Sequence, residues 1–295
     1  MKFIFVGGSP RSGTTLVQKV LIIHSKIAGT GEFEYLEQMM KLYATMNESI
    51  ISNNNNKNFY DQSKLKEYWK GFLENLFSNI YNKKKDAIYF SEKSPNNIYV
   101  AKTSLDLIPD SKFIFVYRDG RDVVNSFKQV NIRYKRENKK SPMRLITLVK
   151  SMGWVNGFNI YDDLKNDPQY ENRIYGIKYE ELVNQPLAEL EKLMTFIGLD
   201  LEKEQLDPSV FDFDSNIKNI DNTWYDEKMH NQKINSNNIG KWKNELSFID
   251  KFIVNIILAK RLKMEGYKVN STYIKLNKLF FSVLDFTKLN YKKWR

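Results

Sequence analysis

The chain has 295 residues and a mass of 34.9 kDa, with 42% hydrophobic and 27% charged residues, enough to bury the core of one large domain or two small ones. It holds no cysteine, which excludes disulfides, thiolate nucleophiles and cysteine-ligated metals. The net charge of +11 is uneven, because Lys251 to Arg295 carries 11 Lys/Arg against 2 Asp/Glu while the other 250 residues carry 35 against 33.

The near-neutral body argues against a nucleic-acid partner. The basic end suits membrane lipid or an acidic polymer, and equally a solvated helix face. No segment approaches the roughly 20 apolar residues of a membrane span. Met1-Lys2 runs straight into Phe3 to Val6 and a turn, too short for a signal core. These features predict a cytoplasmic protein, with room for peripheral contact at the inner membrane surface through the basic end.

In chain order, Phe3 to Val6 is an apolar run expected of a buried strand. Gly7 to Gly13 is a turn, and Leu16, Val17, Val20 and Leu21 then recur at helical spacing. A second helix is predicted over Phe33 to Met46, and a polar loop over Ser52 to Asn58. Lys64 to Tyr81 carries Leu65, Tyr68, Trp69, Phe72, Leu73, Leu76 and Phe77, read as a core-facing stripe. Ile88 to Phe90 is a strand, Asn97 to Ile108 a helix, and Lys112 to Tyr117 the clearest strand of all. A helix follows through Val123, Val124 and Phe127, then a basic, polar stretch, Asn131 to Lys140, read as a mobile loop. Leu145 to Leu164 reads as helix and Arg173 to Tyr179 as strand. Leu187 to Ile197 reads as a helix stopped by Gly198, Asp207 to Lys241 as loop, and Ser247 to Met264 as a long helix. Strands alternating with helices give an α/β fold with a central, mostly parallel sheet flanked by helices.

Gly7-Gly8-Ser9-Pro10-Arg11-Ser12-Gly13-Thr14-Thr15 lies between a buried strand and an amphipathic helix. Such a turn aims backbone N–H groups and a helix N-terminus at one point, where an anion is favoured. Ser12, Thr14 and Thr15 add hydroxyls, and Arg11 adds a fixed charge. The spacing from Gly8 to Gly13 is that of the nucleotide P-loop, but Thr14 stands where that loop has its lysine. This argues against a kinase or ATPase.

Pro10-Arg11-Ser12-Gly13-Thr14-Thr15-Leu16 resembles the 5′-phosphosulfate loop of sulfotransferases that use 3′-phosphoadenosine 5′-phosphosulfate (PAPS). Arg118-Asp119-Gly120-Arg121-Asp122-Val123-Val124-Asn125-Ser126 resembles their 3′-phosphate motif, with Arg118 and Ser126 at the family's spacing. The arginine in the first loop and the Arg-Asp-Gly-Arg sequence of the 3′-phosphate motif are most similar to the protein-tyrosine sulfotransferase branch and its bacterial relatives. Tyr179 resembles the tyrosine on the adenine side, and Ile239-Gly240-Lys241-Trp242 resembles the late loop that closes over the cofactor phosphate. The resemblance implies a single P-loop-like domain over residues 1–270, followed by a basic, aromatic extension, 271–295, packed on the domain or interfacial. It also implies the product adenosine 3′,5′-bisphosphate (PAP).

Sulfuryl transfer needs an activated acceptor oxygen, in-line geometry and stabilised charge on the transferred and leaving oxygens. No metal-ligand spacing is evident. The resemblance assigns Glu32 as general base, with Glu34 as its neighbour and rival. It places Arg11 at the sulfuryl oxygens and Lys93, in Glu92-Lys93-Ser94-Pro95, at the leaving phosphate. His24, at the end of the first helix, reads as a cap, and nothing singles out His230. A serine that assists in the tyrosylprotein branch has no counterpart here, since neither Ser215 nor Ser236 is suitably placed. The acceptor is a hydroxyl on a protein tyrosine, a glycan or a small molecule. Two other readings stay open. One is a P-loop phosphotransferase with Asp119 holding a metal. The other is a nonenzymatic binder of anionic polymer or membrane through a tail that interleaves Phe280, Phe281, Phe286, Tyr291 and Trp294 with lysines.

Overall fold

A computed structural model of the chain describes residues 1–52, 58–139, 145–210 and 233–286. Five strands form the sheet: β1 (Lys2–Gly8), β2 (Ile27–Gly29), β3 (Tyr89–Lys93), β4 (Lys112–Tyr117) and β5 (Ile174–Lys178). Their order is β2-β3-β1-β4-β5 and every pairing is parallel. The helices are α1 (Thr14–Ile23), α2 (Leu36–Ser52), α3 (Gln62–Tyr81), α4 (Ala101–Leu107), α5 (Gly120–Arg136) and α6 (Ile146–Lys165). They continue as α7 (Tyr179–Asn184), α8 (Pro186–Ile197), α9 (Trp242–Glu245), α10 (Phe248–Met264) and α11 (Ser271–Phe286).

Side chains alternate across a strand, and here the alternation sorts residues by type. Phe3 and Phe5 of β1 and Phe113 and Phe115 of β4 join one core cluster with Leu73 and Phe77 of α3, Phe127 of α5, Trp154 and Phe158 of α6 and Leu258 of α10. Ile4, Val6, Ile114 and Val116 point the other way, onto Val17, Val20 and Leu21 of α1 and Leu190, Leu193 and Met194 of α8. Both faces are therefore covered, and the strands read as unbroken apolar runs. The aromatic face is itself ordered, with Phe77 and Phe90 stacked at 4.5 Å and Phe115 and Tyr161 at 4.7 Å between ring centroids.

Helix ends follow local chemistry. Asp61 caps α3 by accepting from the Lys64 N–H at 2.8 Å, and Ser247 caps α10 by accepting from the Asp250 N–H at 3.1 Å. Gly198 ends α8 in the left-handed conformation at φ 88°, as the sequence predicts. His24 is the C-cap of α1. Its ring is buried, with Nε2 3.0 Å from the Asp200 carbonyl.

The central parallel sheet flanked by helices is as the sequence predicts, with every strand pairing parallel. Several element bounds shift. α2 starts at Leu36, not Phe33, and runs on to Ser52. The helix predicted over Asn97 to Ile108 is a 3-10 turn, Pro95–Val100, followed by α4. The expected mobile loop from Asn131 is helix as far as Arg136, because Val130 and Tyr134 are buried and continue the apolar face of α5. The α3 stripe is only half core: Leu65, Leu73 and Phe77 are buried, while Tyr68 and Phe72 are 61% and 51% exposed. Phe72 is one helical position, about 100°, from Leu73 and so turns off the buried face. α11 lies along α10, with Tyr273 6.1 Å from Phe252 between ring centroids. Asn277 Nδ2 donates to the carbonyls of Ile256 and Ile257 at 2.8 and 2.9 Å. Residues 53–57 of the polar loop, residues 211–232 with Ser215 and His230, and Tyr291 and Trp294 lie outside the described residues. No helix among the described residues is long and apolar enough to cross a membrane.

The two adjacent positions on α3 should separate in chemical denaturation. Leu73→Ala is expected to cost about 2–5 kcal/mol, and Phe72→Ala to stay within about 0.5 kcal/mol of the parent. Equal losses would contradict the packing of α3.

Candidate active site

The carboxyl ends of β1, β3 and β4 lie side by side. Register pairs Val6 of β1 with Lys93 of β3, and Gly8 with Val116 of β4. Three turns therefore leave the sheet together: the Ser9 to Gly13 loop, the Ser94 segment and Arg118-Asp119. Ligands of open α/β sheets sit in the crevice outside such strand ends.

The first loop is held tightly. A Cβ on Gly8 would lie 2.1 Å from the Val116 carbonyl oxygen, so only glycine lets β1 leave here. Arg11 adopts φ 74°, a conformation uncommon for a residue with a side chain. Gly13, the N-cap of α1, has φ 97°, and a Cβ there would meet the Tyr179 ring at 2.6 Å. Ser12 is fully buried, and its hydroxyl has no hydrogen-bond partner in the protein.

Arg118 begins the second turn and is buried. Its guanidinium lies 4.9 Å from the centroid of the Tyr179 ring and donates to the carbonyls of Arg11, at 3.4 Å, and Asn238. Arg118 Nε is buried with no hydrogen-bond partner. Arg11 Nε donates to Ser126 Oγ at 2.9 Å. The first loop and the second motif are thus joined in two places, by side chains 107 and 115 positions apart. Buried polar groups left unsatisfied, as Ser12 Oγ and Arg118 Nε are, cost free energy unless a ligand satisfies them. A hydroxyl and a guanidinium N–H beside a helix N-terminus fit an anion.

Buried carboxylates brace the second motif. Asp119 caps α5 and is gripped by Arg121, with Nη2 2.7 Å from Oδ2. Arg121 in turn lies 4.2 Å from the Trp242 ring and donates to the Lys268 carbonyl at 3.0 Å. Asp122 accepts from the N–H groups of Gly240, at 2.7 Å, and Trp242, at 3.0 Å. Burial pushes the Asp122 carboxyl up, against the Arg118 charge and those two N–H groups. Glu180 accepts from the Asp119 N–H and from Tyr267 Oη, both at 2.9 Å, and burial pushes it up as well. Trp154 Nε1 donates to the Arg118 carbonyl at 3.0 Å.

On the other side, Lys93 is almost wholly buried. Its Nζ donates to Thr15 Oγ1 at 3.2 Å and forms an ion pair with Glu32. Burial pushes the Lys93 ammonium down, and Glu32 opposes this. The Glu32 turn is tied to the sheet by Gln18, whose Nε2 donates to the carbonyls of Thr30 at 2.9 Å and Ser91 at 3.0 Å.

A family model described as the sulfotransferase family matches residues 4–203. The chain belongs to the sulfotransferase family. Among curated members, a protein-tyrosine sulfotransferase of Drosophila melanogaster is 23% identical over 200 residues, covering 68% of this chain and 38% of that protein. The chain thus spans well under half the length of that relative. Two solved structures share the fold. The sulfotransferase domain of a Synechococcus olefin synthase superposes with a TM-score of 0.59 at 17% identity, covering 95% of this chain and 94% of that one. A mouse sulfotransferase complexed with PAP gives a TM-score of 0.50 at 16% identity, covering 94% and 88%.

Within this sulfotransferase-family chain, the structure gathers most residues that the two motifs single out. Arg11, Gly13, Arg118, Ser126 and Tyr179 come together around the first loop, and Lys93 touches Thr15 and Glu32. Thr14 is buried at the start of α1, and Pro10 is partly buried in the loop. Lys241 is exposed, and Trp242 stacks on Arg121 rather than on Arg118. Glu34 and Ser236 are exposed. Asp119, the metal-holding acid of the phosphotransferase reading, is committed to Arg121 and the α5 N-terminus. Sequence reasoning passed over Gln18, Glu92, Asp122, Glu180 and Tyr267. Asp122 lies inside the 3′-phosphate motif and Glu92 directly precedes Lys93, which is the signal that marks them. Gln18 reads only as the polar position of an apolar helix.

Gly13→Ala should lower the thermal midpoint more than Gly198→Ala. Both place a side chain at positive φ, at a cost of about 1–2 kcal/mol, but Gly198 faces open space while Gly13 meets Tyr179. Equal midpoints would show that the Tyr179 ring yields freely.

Proposed function

We propose that this chain transfers a sulfuryl group from PAPS to an acceptor hydroxyl, releasing PAP, with Glu32 as general base. The observation that carries the reading is the buried Lys93 ammonium, which touches Thr15 of the phosphosulfate-type loop and Glu32 at once. One side chain thus joins the donor side of the site to the acceptor side.

Pro10 to Thr15 would hold the 5′-phosphosulfate, Arg118 and Ser126 the 3′-phosphate, and Tyr179 the adenine side. Lys241 and Trp242 sit on the segment that Asp122 ties over the second motif. Bound PAPS supplies an electrophilic sulfur whose bond to the 5′-phosphate oxygen breaks, and PAP leaves with the electron pair. Glu32 takes the proton of the acceptor hydroxyl as its oxygen bonds to sulfur. Lys93 and Arg11 offset negative charge on the transferred and leaving oxygens. The likeness to protein-tyrosine sulfotransferases favours a tyrosine phenol as acceptor, with a glycan hydroxyl or a small alcohol as the alternatives. The phosphotransferase alternative loses its acid, because Asp119 is occupied by Arg121.

Calorimetry with PAP tests the donor side. Arg118→Ala should weaken binding about 10- to 100-fold and Ser126→Ala less, as charged hydrogen bonds outweigh neutral ones. Glu32→Gln should leave PAP affinity intact and cut turnover by about 10²–10⁴. A wild-type chain that does not bind PAP would overturn the reading.

A second feature supports peripheral contact with a membrane surface. Phe248 and Ile249 are 83% and 68% exposed. With Phe252, Trp242 and Tyr273, Phe248 borders a cleft of about 320 Å³ that also carries Lys251 and Lys268. Exposed apolar residues among cations suit an anionic bilayer surface. The chain is expected to sediment with vesicles containing phosphatidylserine, and the double variant Phe248→Glu, Ile249→Glu to stay in the supernatant. Wild-type chain left in the supernatant would remove the membrane role.

A further inference from the structure

Glu92 is a fully buried acid near the site, 1% exposed, and sulfuryl transfer as proposed gives it no task. Its carboxylate accepts from Asn97 Nδ2 at 2.6 Å, Ser94 Oγ at 2.9 Å and the Phe33 N–H at 3.3 Å. Phe33 directly follows Glu32. Asn97 Nδ2 also donates to the Val6 carbonyl at 3.1 Å, and Ser94 Oγ, whose one proton goes to the nearer Glu92, also lies 3.3 Å from the Phe33 carbonyl. Glu92 therefore links the end of β1, the segment after β3 and the turn that carries Glu32.

A buried carboxylate is a costly way to make structural hydrogen bonds. An apolar side chain would fill the place with less desolvation, and an amide would set its own NH2 against these donors. The three donors fit the ionised form, which only accepts. We propose that Glu92 is a positioning residue whose ionised carboxylate grips the Phe33 amide and so sets Glu32 against Lys93. This rests on the reading of Glu32 as the base.

The charge environment makes the grip sensitive to pH. Burial pushes Glu92 up to about 7, opposed by the hydrogen bonds from Asn97, Ser94 and Phe33 and by the Lys93 charge. Lys93 of β3 is the charged group that faces it. Glu32 from the turn and Arg11 from the first loop act in turn on Lys93. The sign follows: above about 7 the carboxylate is ionised and the turn is held, and as pH falls through that value Glu92 takes a proton and the grip loosens.

The test uses the full chain labelled with 15N-phenylalanine. The Phe33 amide resonance, assigned by Phe33→Leu, should move with a midpoint near pH 7, and Glu92→Gln should abolish the movement. PAP release from PAPS with water as acceptor gives a second readout that needs no identified acceptor. Glu92→Gln should lower its kcat about 10- to 100-fold, as a small misplacement of a catalytic group does, with the KM for PAPS held within about two-fold. Its acid limb near neutrality should vanish. Ser94→Ala keeps the charge but removes one donor, so it should shift both midpoints upward, and it serves if Glu92→Gln does not fold. A Phe33 amide that does not titrate, or a Glu92→Gln chain with the parent's kcat and pH profile, overturns the proposal. Failure of the wild type to bind PAP would instead strike the sulfuryl-transfer reading, and the Phe33 titration would still report whether Glu92 holds the turn.

Discussion

The register of β1 against its two neighbours places Val6 opposite Lys93 and Gly8 opposite Val116. From this pairing the geometry of the site follows. Parallel strands end at the same edge, so three loops far apart in sequence leave the sheet within reach of one another. The pairing is held by an apolar sandwich in which phenylalanines fill one side and aliphatic residues the other. Closeness at Gly8, where any Cβ would strike the Val116 carbonyl, allows the first loop to lean on the second motif. Arg11 and Arg118 then lock the two together through Ser126 Oγ and the Arg11 carbonyl.

Around this edge the protein buries an unusual amount of charge. Arg118, Asp119, Arg121, Asp122, Glu92 and Lys93 are all buried. Each of these ionised groups is paired or hydrogen-bonded, as burial demands. The pairing serves to orient rather than to stabilise. Asp119 and Arg121 satisfy each other, while Asp122, ion-paired with Arg118 at 3.6 Å, also holds the Gly240 and Trp242 amides. On the far wall, Gln18 and Glu92 fix the backbone of the turn that presents Glu32. Ser12 Oγ of the first loop and Arg118 Nε of the second motif are buried without a hydrogen-bond partner in the protein.

Much of the fold is legible because both sheet faces are covered. β1 and β4 read as unbroken apolar runs, and helices α3, α6 and α10 carry clear periodicity. β2 escapes because Ile27–Gly29 is three residues long, shorter than any period that sequence can show. α5 runs past its expected end because Val130 and Tyr134 sit among lysines and arginines that mask its apolar face. Phe72 and Tyr68 read as core because hydrophobicity alone does not tell a buried face from an exposed flank on α3.

The two motifs are legible in the sequence alone, since glycine, hydroxyl and arginine at fixed local spacing need only one strand–turn–helix each to come together. The sequence also determined that Thr14 replaces a P-loop lysine, which follows from counting. Only the tertiary structure decided that Lys93 lies between Thr15 and Glu32, residues 78 and 61 positions away. It alone showed that Asp119 belongs to Arg121, and that Glu92 holds the backbone beside Glu32. The physical reason is common to all three: these are contacts between side chains whose directions are set by packing, and separate loops meet only where the parallel sheet brings its strand ends together.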